Sequence, residues 1–374
     1  MTAHLAAVTP GQGQPFEVHP RPTPAPGPGE LLIAIKSIAL NPADTIMRAT
    51  GLFIQTYPTV IGFDLAGLVL KVGANVPDDF QAGRTRIAAY AASAWRACNL
   101  DYGAFQEYCL VPWQHALRLP EEGISLSWNE AATLPVAGQV PLSAWDALGI
   151  PRVHLEYTTA VFSSSSPLSP VSMSKQEVLL IWGASSSVGT MGVQAARILR
   201  DDPNSCFGAV YATAGAANQE YVASLGADRV FDYNESHVVE SIVSAAKEDG
   251  LVIRHCFLAM GELAACQAVL KPFVEQSQSQ SPKSKIGSAP PVPSDAEEVH
   301  GIETIFVMPS SDEEKRLAQF QYWMGTLTEY LAKGVIRPSP ELKVVGRGLG
   351  AINEGLDMLS RGVSCTKLVV EVAE

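Results

Sequence analysis

Apolar positions along this chain follow two different rhythms. Up to about residue 120 they come as short β-rich runs, at 30–36, 59–72, 86–90, 103–111 and 116–119, each bounded by Gly, Pro or Asp. Short strands at this spacing predict a small β-barrel-like domain. The stretch ahead of them is turn-rich, with seven prolines among the first 28 residues. From Ser127 the pattern becomes helical. Ser127-Trp-Asn-Glu130 reads as a capping box, and Pro141 is placed to open a helix around 144–148.

Beyond residue 176 the rhythm is that of buried strands alternating with amphipathic helices. The continuous apolar run Glu177-Val-Leu-Leu-Ile-Trp182 suits a strand covered on both faces. It is followed by a helix at 188–200, strand 207–213, helix 217–225, strand 229–232, helix 237–248, strand 251–258 and helix 261–271. Repeated βαβ units of this kind predict a doubly wound parallel sheet, so the fold class is α/β. The remainder reads as strand 302–307, helix 313–333, strand 342–345, helix 351–361 and strand 367–372. The expected organisation is a first domain at 1–140, completed by about 340–374, and a dinucleotide-type domain at 141–339. Low-complexity Ser/Pro/Gln-rich insertions are expected at about 158–176 and 275–300.

Composition narrows the function classes. The 374 residues are 47% hydrophobic and 17% charged, which is ample material for packed cores. With 26 Lys+Arg against 38 Asp+Glu the net charge is -12, which repels nucleic-acid backbones and anionic lipid. The longest purely apolar stretches, such as 178–182, are far short of a membrane span, and the first residues lack an export signal, so a cytoplasmic protein is expected. Six cysteines are scattered without a Cys-x-x-Cys pair, against a disulfide scaffold or structural zinc.

The strongest local motif is Gly183-Ala-Ser-Ser-Ser-Val-Gly189, which follows the buried strand and opens a helix. Helix N-terminal amides and the positive dipole end hold a diphosphate, and small residues let the backbone approach it. Ser185, Ser186 and Ser187 stand where further glycines are usual, and their hydroxyls can add donors. The same turn also serves as an ordinary tight βα connection. The next strand ends Val210-Tyr-Ala-Thr-Ala-Gly215 without an Asp or Glu for a ribose 2′-hydroxyl, which leaves room for a 2′-phosphate and favours NADPH over NADH. No Arg or Lys lies between Tyr211 and Asp228, so Thr213, Asn218 and Tyr233 are the candidate contacts at that end.

The order of these segments, with Gly62-Phe-Asp-Leu-Ala-Gly67, Gly103-Ala-Phe-Gln-Glu-Tyr108, Ala131-Ala-Thr-Leu-Pro135 and Leu225-Gly-Ala227, resembles the medium-chain dehydrogenase/reductase superfamily. Phe231-Asp-Tyr233 and Lys367-Leu-Val-Val370 make it most similar to fungal trans-acting enoyl reductases and quinone-oxidoreductase-like proteins. The resemblance covers nearly the whole chain. It implies a GroES-like catalytic domain plus a Rossmann domain, with substrate and nicotinamide in a cleft between them.

Where zinc-dependent relatives carry metal ligands, this chain reads Ala39-Leu-Asn-Pro-Ala-Asp44 and Phe63-Asp64, and the four-Cys lobe is reduced to Cys98 and Cys109. No zinc is therefore expected. Without a metal, the best-matched chemistry is hydride transfer to a carbon already polarised by conjugation, in an enoyl thioester or enone, with a proton added at Cα. By resemblance Asn41, Asp44 and Thr133 are the catalytic candidates, and Asp44, Thr45 and Thr133 lie nearest the nicotinamide. Gly183, Ser185, Ser186, Ser187, Val188 and Gly189 hold the cofactor, and Phe63, Leu134, Pro135, Val136 and Gln139 line the substrate pocket.

Plainer roles fit the same residues. Asp44 suits a helix N-cap, Asp64 a turn, Thr133 a bond to a backbone carbonyl, and Tyr233 a packed strand end. Relatives often carry Asp-x-x-Gly where this chain has Arg254-His-Cys-Phe-Leu-Ala-Met-Gly261. A quinone reductase, or a nucleotide-binding partner protein without turnover, therefore stays open. The expected partners are a small or carrier-bound enoyl substrate and a polyketide synthase, with no nucleic acid or membrane; both a monomer and a homodimer are compatible.

Overall fold

A computed structural model describes residues 2–120, 125–153, 175–275 and 283–372. Contacts divide the chain into two compact units, 1–139 with 310–374, and 140–309.

In the first unit a seven-stranded sheet is built around β3 (Glu30–Ala39), whose residues are buried nearly throughout. The order is β14 (Glu341–Arg347), β15 (Thr366–Glu371), β3, β4 (Asp64–Val72), β5 (Arg86–Tyr90) and β7 (Ala116–Arg118), with β6 (Tyr108–Pro112) also on β3. A two-stranded ribbon of β1 (Ala3–Val8) and β2 (Glu17–Pro22) belongs to the same unit. The run expected as one strand over 59–72 is a strand only from Asp64. Ahead of it, Ile61 and Gly62 carbonyls accept from Phe105 and Ala104, and Thr59 bonds Thr9, so these residues leave the β3–β4 ladder. Helix α1 (Pro42–Thr50) follows β3 directly.

The capping box at Ser127 forms: Glu130 N donates to Ser127 Oγ at 3.2 Å, and Ser127 N to Glu130 Oε2 at 2.8 Å, opening α2 (Trp128–Ala132). Pro141 does not open the next helix. It lies inside α3 (Leu134–Leu148), which runs on through it because burial of Ala137, Leu142, Ala144, Trp145 and Leu148 outweighs the missing amide. The division between the units falls within α3.

The second unit holds a six-stranded, all-parallel sheet, ordered β10 (Arg229–Phe231), β9 (Phe207–Thr213), β8 (Glu177–Trp182), β11 (Val252–Leu258), β12 (Ser284–Ser288) and β13 (Ile302–Phe306). Between the strands run α4 (Ser187–Asp201), α5 (Gln219–Ser224), α6 (Val238–Glu248) and α7 (Leu263–Glu275). Val178, Leu180, Tyr211, Ile242, Cys256, Cys266 and Ile286 lie in one fully buried core.

Two expectations change. The polar segment at 275–300 contains an interior strand, β12, whose Ser284, Ile286 and Ser288 are buried. Its sequence Ser-Lys-Ile-Gly-Ser hides this, because pairing on both edges rather than side-chain hydrophobicity holds it. The expected insertion at 158–176 lies outside the described residues except for 175 and 176. The last segment also joins the first unit earlier than 340. Helix α8 (Glu313–Ala332) packs Phe320 on His115, with ring centroids 3.9 Å apart, and on Tyr90 at 4.9 Å. Helix α9 (Ala351–Ser360) completes that unit.

Candidate functional site

In the second unit, the turn between β8 and α4 is fixed by its own backbone. Gly183 has φ +76°, and a side chain there would put Cβ 2.3 Å from the Met260 carbonyl. A Cβ on Gly189 would come 2.4 Å from the Gly183 carbonyl. Only glycine meets both demands. Ser186 is the N-cap of α4: its Oγ accepts from Gly189 N at 3.1 Å and donates to Gly183 O at 2.8 Å. The first helical bond runs from Thr190 N to Ser186 O. Ser187 and Val188 amides therefore precede any carbonyl the helix offers, at its positive end. Ser185, Ser187 and Val188 are half-buried.

Thr213 lies elsewhere than expected. It is fully buried and its Oγ1 accepts from Gly183 N at 2.9 Å, so it supports the turn from below instead of reaching a 2′-phosphate. Tyr233 is exposed, with its hydroxyl beside Gly215, and Asn218 N donates to Gly215 O at 2.8 Å. Tyr233 and Asn218 thus both neighbour Gly215, just beyond the end of β9. His255 and Cys256 face opposite sides of β11: His255 Nδ1 lies 3.0 Å from Glu177 Oε2, whereas Cys256 is in the core.

The first unit holds a buried polar cluster. Lys367 Nζ donates to Asn41 Oδ1 at 2.6 Å and to Asp64 Oδ2 at 3.0 Å. Asn41 Nδ2 donates to the same Asp64 oxygen at 3.0 Å, and the other, Oδ1, accepts from Val136 N at 2.8 Å. Asp44 Oδ2 accepts from Asn41 N at 2.7 Å, while its Oδ1 is buried without a partner. Relative exposures are 3% for Lys367, 4% for Asn41 and 0% for Asp44 and Asp64. Desolvation by this burial is the main cause that pushes the Asp44 carboxyl up to about 7, with Asp64 adding to it and the bond from Asn41 N and the Lys367 charge opposing it.

The catalytic candidates are thus placed unevenly. Asn41 is at the heart of the cluster. Asp44 faces inward as the partner of the α1 N-cap, and Thr133 is 1% exposed with its hydroxyl donating to Glu130 O at 2.7 Å. The Thr133 bond to a backbone carbonyl is the plainer role its sequence allowed, whereas the N-cap of α1 is Asn41 and Asp44 stands at the third helical position, bonded back to it. Thr45 is half-buried, its hydroxyl donating to Pro42 O at 2.7 Å. Of the substrate candidates, Leu134, Pro135 and Gln139 are buried and Val136 is half-buried. Phe63 lies 5.5 Å from the Tyr90 ring, in an aromatic group with His115 and Phe320. Burial takes His115 down to about 3 and raises the Tyr90 phenol, so both are neutral near pH 7.

Sequence reading missed Lys367 as a site residue. The available signal is a lone lysine opening the otherwise apolar run Leu-Val-Val inside a strand. Among the described residues, no group of three or more His, Cys, Asp or Glu could hold a metal ion, and no helix is long and apolar enough to cross a membrane.

A GroES-like sheet unit and an all-parallel α/β unit with a glycine turn at its first strand define the architecture of the alcohol dehydrogenase superfamily. Residues 27–121 match the alcohol dehydrogenase GroES-like domain. The trans-enoyl reductase tndF of Aspergillus flavipes is 38% identical over 371 residues, covering 98% of each chain. The trans-enoyl reductase tazE of Aspergillus terreus is 37% identical, covering 84% of this chain and 96% of the other. The crystal structure of an alcohol dehydrogenase superfamily protein from Novosphingobium aromaticivorans shares the fold with a TM-score of 0.73 at 19% identity, covering 99% of this chain and 100% of that one. The chain belongs to the trans-enoyl reductase family of the medium-chain dehydrogenase/reductases.

Proposed function

We propose that this oxidoreductase uses NADPH to reduce an activated C=C bond in an enoyl thioester or enone, acting in trans with a polyketide synthase in the cytoplasm and without a metal ion at the reaction centre. The observation that carries the reading is the β8–α4 turn. Its two glycines admit no side chain, and it presents the Ser187 and Val188 amides at a helix N-terminus. A dinucleotide diphosphate fits these donors, and the bound cofactor supplies the hydride.

The chain's own residues do the holding. Ser186 keeps the helix start in register through its cap, and Thr213 pins Gly183 from beneath. Around Gly215, Asn218 and Tyr233 offer polar groups to the adenosine end, where the absence of an acid on the last residues of β9 favours a 2′-phosphate. In the first unit Asn41, Phe63 and Val136 are the substrate-side candidates. By resemblance the segments Ala39–Asp44 and Phe63-Asp64 stand where zinc-dependent relatives carry a Cys and a His-Glu pair, which supports metal-free chemistry.

The test is a fluorescence titration with NADPH and NADH, followed by cofactor oxidation with a panel of enoyl thioesters, enones and quinones. Tighter NADPH binding and oxidation by enoyl thioesters are expected. Turnover confined to quinones would transfer the protein to quinone reduction. Binding without any turnover would make it a nucleotide-binding partner, and binding of neither nucleotide would end the reading.

A further inference from the structure

The buried cluster has a hub that the functional reading does not use. Three segments that carry the catalytic and substrate-pocket candidates are remote in sequence: those around Asn41, Phe63 and Val136. Each is bonded into one network. Asn41 Oδ1 takes the Lys367 ammonium at 2.6 Å, Asp64 Oδ2 takes the same ammonium at 3.0 Å, and Asp64 Oδ1 takes Val136 N at 2.8 Å. The ammonium comes from a fourth place, β15, near the C-terminus.

We infer that Lys367 is a positioning residue for the reductase reaction, holding the Asn41 turn, the start of β4 and the first turn of α3 in one arrangement.

The physical grounds are geometric. An ammonium that is 3% exposed needs acceptors in place of water, and Lys367 finds two whose own remaining groups are tied to each other and to the backbone. Without Lys367, Asp64 keeps its bonds from Asn41 Nδ2 and Val136 N, but Asn41 Oδ1 and Asp64 Oδ2 both lose the ammonium that ties them to β15, so the three segments are joined less firmly. Charge balance alone does not need this arrangement, since an ion pair with Asp64 would suffice. The second, shorter bond to Asn41 is what carries the order across to α1.

The inference rests on the proposed enoyl reduction, so its test starts from the wild type with NADPH and a short enoyl thioester. A wild type that oxidises no NADPH with it ends that reading. An active wild type allows Lys367 to be judged alone. Lys367→Met is expected to lower kcat by about 10²-fold, the scale of a misplaced reacting geometry, with NADPH affinity unchanged. Adding Asp64→Asn to it removes the unpaired buried charge, and should restore the urea midpoint but not kcat. Lys367→Arg keeps the charge with a different donor spacing, and is expected to fold with an intermediate kcat. Wild-type kcat in Lys367→Arg, in a folded Lys367→Met, or in the double variant would overturn the inference.

Discussion

The nucleotide turn at 183–189 and the polar cluster around Lys367 are both candidate site elements, and they are built by opposite means. The turn is made of seven consecutive residues. Its demands are local: glycines where a Cβ would collide with Met260 or Gly183 carbonyls, and a serine that caps the helix it opens. The cluster joins positions 41, 64, 136 and 367, drawn from an α1 cap, a strand start, a helix start and a second strand. Its stability depends on excluding water from charged groups, which only the surrounding packing does. A locally built site should therefore fail locally when altered, whereas the cluster should take the first unit's stability with it.

The largest expected effect tests this contrast directly. Lys367→Met should cost about 3–5 kcal/mol of unfolding free energy in urea, the usual cost of leaving a buried charge unpaired, and added Asp64→Asn should recover most of it. A loss confined to a few tenths would make the cluster no more global than the turn.

Next in size is a pH effect. Asp44 has its carboxyl raised from 3.8 to about 7 in the folded state. As pH rises past about 4 the unfolded chain gives up this proton first, so stability from Asp44 is full below about pH 4 and falls until about pH 7, with a slope of at most about 1.4 kcal/mol per pH unit. Asp44→Asn should remove that decline and flatten the denaturation midpoint over this window. An unchanged pH profile would show Asp44 to be ionised despite its burial.

On the other side of the contrast, Ser186→Glu should weaken NADPH binding by about tenfold, near 1.4 kcal/mol, by setting an acid and a lost cap at the diphosphate site. The melting temperature should fall by no more than the few degrees that one lost cap costs. Unaltered affinity by calorimetry would remove the turn from the cofactor site.

The smallest effect separates support from contact. Thr133→Val should lower stability by about 1 kcal/mol through its bond to Glu130 O while kcat stays as in the wild type. A strong fall in kcat at full stability would return Thr133 to the reacting atoms.

Much of this was readable beforehand, and the reasons are specific. Strands β5 and β9 begin and end where the apolar runs do, because each run is continuous and closed by turn residues. The Ser127 capping box forms because both its bonds lie within three residues. The misreadings share a cause. Strand β12 is polar and Pro141 is a helix breaker in isolation, yet neighbouring strands and a buried face override those preferences. Thr213 and Asp44 are polar residues in plausible places, but which way each side chain points is set by what packs against it.

Sequence alone determined the alternation of elements, the α/β class and the glycine and serine turn, since these follow from periodicity and from steric needs felt between near neighbours. Only the tertiary structure decided that Lys367 meets Asn41 and Asp64. Attraction between remote charges becomes directional and strong once the fold has removed the water between them, and no spacing along the chain encodes that removal.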